Sequence, residues 1–268
     1  MKRIAIFLDG SPNDGDSLAC AVRVCRVIDG RLTVIHPRQP DQYISTGGGE
    51  FAGAVIDNRE RAAAAAAAAR QAYDSVCAGL AFAEWLETEA SAPGAIAGYG
   101  LVHDLTILER ISSEQGPEVL AFNTALFDTG GPVLVTPPNV PAVIGRHIAV
   151  AWAARVPSAR AVRAAMPLIR QAETVTVVTN RDNEAADPAA LVAYLGCYGI
   201  APELQSFGGA KLTARGRGRA MLAAVAETSA DLLVMGAYGE NKLSAIFGLG
   251  RATRKVVTAA PIPFLTQS

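Results

Sequence analysis

The chain has 268 residues, of which 50% are apolar, and its 24 basic and 25 acidic side chains leave a formal net charge of −1. That balance offers no concentration of Lys and Arg, so it gives no basis for nonspecific binding to nucleic acid or anionic lipid. The length exceeds what a single α/β core usually carries and suits two domains of roughly 130 residues each.

In chain order, Arg3 to Leu8 (RIAIFL) reads as a buried strand ending at Asp9 and Gly10. Its apolar run is too short for a signal-peptide core or a spanning helix, which predicts a cytoplasmic protein without a membrane partner. Asp16 to Ile28 predicts a helix, with Cys25 beside Leu18, Ala21, Val22 and Ile28 on its apolar face as a small core residue. Asp14 and Asp16 read as acids capping the exposed N–H groups of that helix rather than as magnesium ligands with Asp9. Leu32 to His36 predicts the second strand, with His36 at the surface before Pro37, and Pro37 to Ala54, with Gly47 to Gly49, reads as a surface segment. Eight alanines, Ala62 to Ala69, predict a helix packed closely through small side chains. Asp104 to Leu108 and Pro132 to Val135 complete the strands of this half, and Thr136 to Gly145, with three prolines, reads as a short stiff linker.

The same order then recurs at a period of about half the chain. His147 to Trp152 (HIAVAW) repeats the first strand, Ser158 to Arg170 the first helix and Val175 to Thr179 the second strand, followed by a surface segment from Arg181 to Pro188. Asp231 to Met235 and Pro263 to Leu265 repeat the later strands. Alternating strands and helices predict an α/β chain of two tandem doubly wound, Rossmann-like parallel-sheet domains, residues 1–138 and 145–268. Prolines at the two fifth strands suit sheet edges, and two open edges in one chain predict an internal pseudo-dimer, with a homodimer of whole chains left open.

The candidate binding residues cluster after Leu232 to Met235. Gly236 and Gly239 let the backbone approach a ligand where a helix would begin, and Gly248, Gly250, Arg251 and Thr253 add a second group of donors suited to phosphate. Tyr238 lies in the same turn, as a shield or as a ring that stacks on a base. The four cysteines, Cys20, Cys25, Cys77 and Cys197, form no paired spacing and lie apart from His36, His103 and His147, so no metal site is expected. No nucleophile–base constellation can be assigned, which argues against an enzyme and leaves weak ATP hydrolysis as a lesser alternative.

Leu8, Asp9, Gly10 and Ser11 resemble the V-D-G-S that closes the first strand of universal stress proteins. GAYG at Gly236 to Gly239, with LGRATR downstream, resembles the G-x2-G-x9-G-(S/T) phosphate loop of that family in its tandem bacterial form. The resemblance spans the chain. It implies an adenine nucleotide alpha hydrolase-like fold in each half, a role in stress response, ATP or a related adenine nucleotide as ligand, Mg only together with the nucleotide, and Asp9 on the adenine and ribose side. The chain also departs from the pattern. Ten residues separate Gly239 from Gly250 where the family has nine, and Arg251 replaces the hydroxyl residue, so the turn is either bulged at Gly248 or remodelled. Ala153 stands where the second half would carry the aspartate, while in the first half Glu109 and Ser112 stand opposite Gly236 and Gly239. These features leave two readings: a nucleotide or phosphate site in the second half, or a ligand-free interaction or scaffold protein.

Overall fold

A computed structural model describes residues 1–38, 51–111, 117–183, 186–208, 213–237 and 256–268, with the backbone alone for 51–58 and 214. The first half runs β1 (Arg3–Phe7), α1 (Asp14–Ile28), β2 (Arg31–Arg38), α2 (Phe51–Cys77), β3 (Ala83–Glu89), α3 (Ala92–Gly100), β4 (Leu105–Glu109), α4 (Pro117–Phe127) and β5 (Val133–Thr136). The second runs β6 (His147–Trp152), α5 (Val156–Ile169), β7 (Thr174–Asn180), α6 (Ala189–Gly196), β8 (Glu203–Phe207), α7 (Ala214–Glu227), β9 (Leu232–Gly236) and β10 (Phe264–Gln267). The strands form a single ten-stranded sheet in the order β3-β2-β1-β4-β5-β10-β9-β6-β7-β8.

Every strand pairing is parallel except β5 with β10, which run antiparallel with Leu134 opposite Leu265. The strands nearest the middle are apolar on both faces because helices cover both, and Ile4, Ile107, Leu134, Val150, Val234 and Leu265 are at most 1% exposed. The outer strand β3 instead carries Glu84, Glu87 and Glu89, charges that discourage pairing with another chain. The edges expected at the fifth strands have thus joined each other, and Pro132 and Pro263 stand just before β5 and β10, where a missing N–H costs the ladder nothing. The predicted parallel α/β arrangement and the internal meeting of the two halves are both observed.

The segment joining the halves lies along α1. The Asn139 N–H donates to Asp16 Oδ2 at 3.1 Å, Arg23 Nη1 donates to the Pro141 carbonyl at 2.9 Å, and Ile144 is buried. Asp16 is therefore a clamp on the connection and not a helix cap. Other local expectations also change. Strand β2 continues through Pro37 and Arg38, which pair with Thr88 and Glu89, and α2 already begins at Phe51, so both ends of the 37–54 segment are regular structure, while residues 39–50 lie outside the described residues. His36 is buried rather than at the surface: its Nδ1–H donates to the Leu8 carbonyl at 2.9 Å, and its ring stacks on Trp85. The alanine run is helical, but Ala62, Ala63, Ala64, Ala67 and Ala68 face solvent, and only Ala69 is fully buried. Helix propensity, not close packing, explains those exposed alanines. Cys25 sits in the core as expected, 1% exposed. Among the described residues, no helix is long and apolar enough to cross a membrane.

Candidate functional site

In an open α/β sheet a ligand crevice forms at the carboxyl ends of the strands where successive connections leave in opposite directions. Strand β1 lies between β2 and β4, and β6 lies between β7 and β9, so each half has one such place. Antiparallel pairing of β5 with β10 turns the halves against each other, and the two crevices open at opposite edges of the sheet. Asp9, following β1, and Gly236, ending β9, consequently belong to different sites.

The first-half crevice is a cleft of about 260 Å³ with Ile96, Leu108, Ile111 and Phe122 in its walls and Asp9 and Glu109 among its polar groups. Its rim is a tight polar turn. Asp9 Oδ1 accepts from the Ser11 N–H at 3.0 Å, Ser11 Oγ donates to Glu109 Oε1 at 2.7 Å, and the Asn13 N–H donates to Ser11 Oγ at 3.1 Å. Gly10 takes a positive φ of 87° and lies so close to α2 that a Cβ there would meet the Ala65 Cα at 2.5 Å.

Asp14 lies behind this turn, 2% exposed, and its Oδ2 accepts from the Gly10 N–H at 2.9 Å. It holds the loop in front of α1 and does not cap the helix, which corrects the sequence expectation. Its Oδ1 is buried with no partner for an ionised carboxylate. Burial, followed by the charges of Glu109 and Asp9, pushes its pKa up to about 8. Burial also raises Glu109, against the opposing hydrogen bond from Ser11. Burial thus favours the protonated form of Asp14 at neutral pH, next to the half-buried Glu109 carboxyl at the crevice. Arg110 also lines this cleft, and its Nη1 donates to the Ala260 carbonyl of the second half at 3.0 Å.

In the second half the strand-to-helix turn has the same shape with different chemistry. Ala153 is exposed and offers no carboxylate, and Ala154 adopts φ 52° where the first half has Gly10. Ser158, buried in the first turn of α5, accepts from the Arg155 N–H at 3.1 Å and donates to the Arg155 carbonyl at 2.8 Å. Gly236 stands opposite Glu109. A Cβ there would collide with the backbone of Pro157, 2.6 Å from its carbonyl carbon, and with the Ser158 nitrogen, so its bare backbone admits the start of α5. Gly239, Gly250, Arg251 and Thr253, with Tyr238, Gly248 and Ser112, lie outside the described residues.

The sequence pointed to Asp9 and to the contrast of Glu109 with Gly236 at equivalent positions, but not to the proximity of the Asp14 and Glu109 carboxyls. No spacing signal could have shown it, since the two carboxyls are 95 positions apart and meet only because β4 lies beside β1. Among the described residues, no group of three His, Cys, Asp or Glu side chains could hold a metal ion.

No family model matches the chain, and no curated protein matches it in sequence. Solved structures do. A universal stress protein from Archaeoglobus fulgidus DSM 4304 superposes with a TM-score of 0.63 at 16% identity, covering 98% of this chain and 94% of that one. A protein from Pseudomonas aeruginosa UCBPP-PA14, provisionally assigned as a universal stress protein, superposes at 0.58 with 14% identity, covering 99% and 92%. A protein of unknown function from Pseudomonas aeruginosa PAO1 gives 0.56 at 14% identity over the same shares. The chain has the fold of the universal stress proteins along its whole length.

Proposed function

We propose that this chain is a tandem universal stress protein, acting in the cytoplasm in stress response, that holds an adenine nucleotide or a related phosphate ligand in its second half. The observation that carries this reading is the contrast at equivalent strand ends. Glu109 brings a half-buried carboxyl to the first crevice, whereas Gly236 brings no side chain and no charge to the second and packs against the start of α5. A phosphate placed beside Glu109 would be repelled at short range in a poorly solvated site. Backbone N–H groups at a glycine turn before a helix attract one. In this reading Gly236, Gly239, Gly250, Arg251 and Thr253 form the phosphate side of a domain spanning 145–268. Asp9 belongs to a separate, degenerate crevice in a domain spanning 1–138. ATP is the candidate ligand, and Mg would enter only with it, on its phosphates.

A second reading, a ligand-free interaction or scaffold protein, is favoured by one observation: Ala153 leaves no acid on the base side of the second crevice. Calorimetric titration of ATP into the wild type, Gly239→Glu and Glu109→Gln distinguishes the two. The nucleotide reading expects binding in the wild type, weakening of about tenfold or more in Gly239→Glu, and no change in Glu109→Gln. Absence of binding in the wild type supports the scaffold, and equal binding in Gly239→Glu rejects the glycine turn as the site.

A further inference from the structure

The two halves cover the corresponding sheet face differently. In the first, the 27-residue α2 lies over α1 and β2, and Leu8 at the end of β1 is fully buried. In the second, the counterpart of Leu8 is Trp152, and the helix following β7 is the eight-residue α6. The larger ring and the shorter cover leave a pocket of about 170 Å³ between β6, α5 and α6. Its walls are Trp152, Val162, Leu191 and Tyr194, with Ala190 on its lining from α6 and Arg163 from α5.

The walls are held in place from outside the pocket. The Trp152 indole N–H donates to the Asp187 carbonyl at 3.2 Å, and Tyr194 is braced edge-on by Tyr198 with ring centroids 5.4 Å apart. The Arg170 guanidinium lies over the Tyr198 ring at 5.8 Å. Val162 and Leu191 are each 3% exposed, so the floor belongs to the core and does not collapse into the space without moving α5 or α6. Arg163 is exposed, and among the described residues no carboxylate pairs with it. It is close enough to Tyr194 for its charge to act on the phenol.

An apolar cavity of about 150 Å³ takes one benzene ring. A ring seated here would stack against indole and phenol faces, and a guanidinium at the rim is the natural fork for a carboxylate. We propose that this pocket is a binding site for a small aromatic carboxylate of one six-membered ring, separate from both strand-end crevices. The ring fills the space between Trp152, Val162 and Leu191, and the carboxylate meets Arg163.

Sodium benzoate serves as the probe and benzyl alcohol as its uncharged control, followed by ligand-detected saturation-transfer NMR and by the indole resonance of Trp152. Benzoate is expected to bind at millimolar concentration and shift the Trp152 indole signal while leaving that of Trp85 in place. Arg163→Gln should weaken benzoate about tenfold, the loss of a charge-assisted contact, and leave benzyl alcohol unchanged. Ala190→Phe, at an exposed helix position, should plug the pocket and abolish both signals while the thermal midpoint stays at the wild-type value. The proposal is overturned if benzoate leaves the Trp152 signal unmoved, if Arg163→Gln binds benzoate as the wild type does, or if Ala190→Phe retains binding.

Discussion

Replacing Asp14 with asparagine should remove a pH dependence that the wild type carries through neutrality. The side chain is 2% exposed, and its pKa is raised from 3.8 to about 8 by burial and by the Glu109 and Asp9 charges. The folded protein therefore keeps a proton that the unfolded chain has released. A raised folded pKa gives stability that is complete below pH 3.8 and is lost as pH climbs through 8. Across that window each pH unit lowers the unfolding free energy by about 1.4 kcal/mol per proton, so from pH 6 to pH 8 Asp14 alone should take about 2 kcal/mol from the wild type. Asparagine keeps a neutral oxygen acceptor for the Gly10 N–H and has nothing to titrate. The lowered pKa of Asp104, held by the Arg3 and Lys2 N–H groups, acts at acidic pH with the opposite sign and stays outside this range, whereas His103, lowered by burial, adds stability as pH rises through 6.5 in wild type and variant alike, so the difference between their slopes isolates Asp14. Urea unfolding at pH 6, 7 and 8 measures the slope. Equal pH slopes for the wild type and Asp14→Asn refute the raised Asp14; the account expects the wild type to lose about 2 kcal/mol more than the variant from pH 6 to pH 8.

Four further outcomes are expected. Ala154→Gly should stabilise by about 0.5–1 kcal/mol in urea unfolding, because Ala154 holds φ 52° at a left-handed cost that glycine escapes. Gly10→Ala, at the matching turn, should destabilise by about 2 kcal/mol or more, since its Cβ would meet the Ala65 backbone; equal effects of the two substitutions would refute the shared turn. Gly236→Ala should cost about 1–3 kcal/mol by forcing the start of α5 off the end of β9, and an unchanged midpoint would remove that packing role. Residues 1–138 and 145–268 coexpressed as two chains should copurify through β5 and β10, and two independent monomers on sizing would argue against the seam as the joint.

The repeat was legible because its signals are local. Arg3 to Phe7 and His147 to Trp152 are short apolar runs, and strands buried on both faces must be written that way. Element ends were legible only to within a residue or two: Gly236 and Glu109 proved to close their strands rather than follow them. What escaped the sequence depends on residues far apart in the chain. Asp14 and Asp16 look identical as first-turn acids, yet one is buried under Gly10 and the other grips Asn139 across 123 positions. His36 precedes a proline, the usual mark of a turn, but β3 pairs alongside and draws it into the sheet. Of the candidate site, the Glu109–Gly236 contrast was legible because the repeat aligns the two positions. That Asp9 lies at the opposite edge from Gly236 follows from the antiparallel seam, which neither half encodes by itself.

The most direct test of the central claim is a crystal structure of the protein grown with ATP and Mg. The account predicts nucleotide density in the second half, with phosphates against the turn that follows Gly236, and none between Asp9 and Glu109. Nucleotide in the first-half cleft, with the second half free of it, would contradict the account.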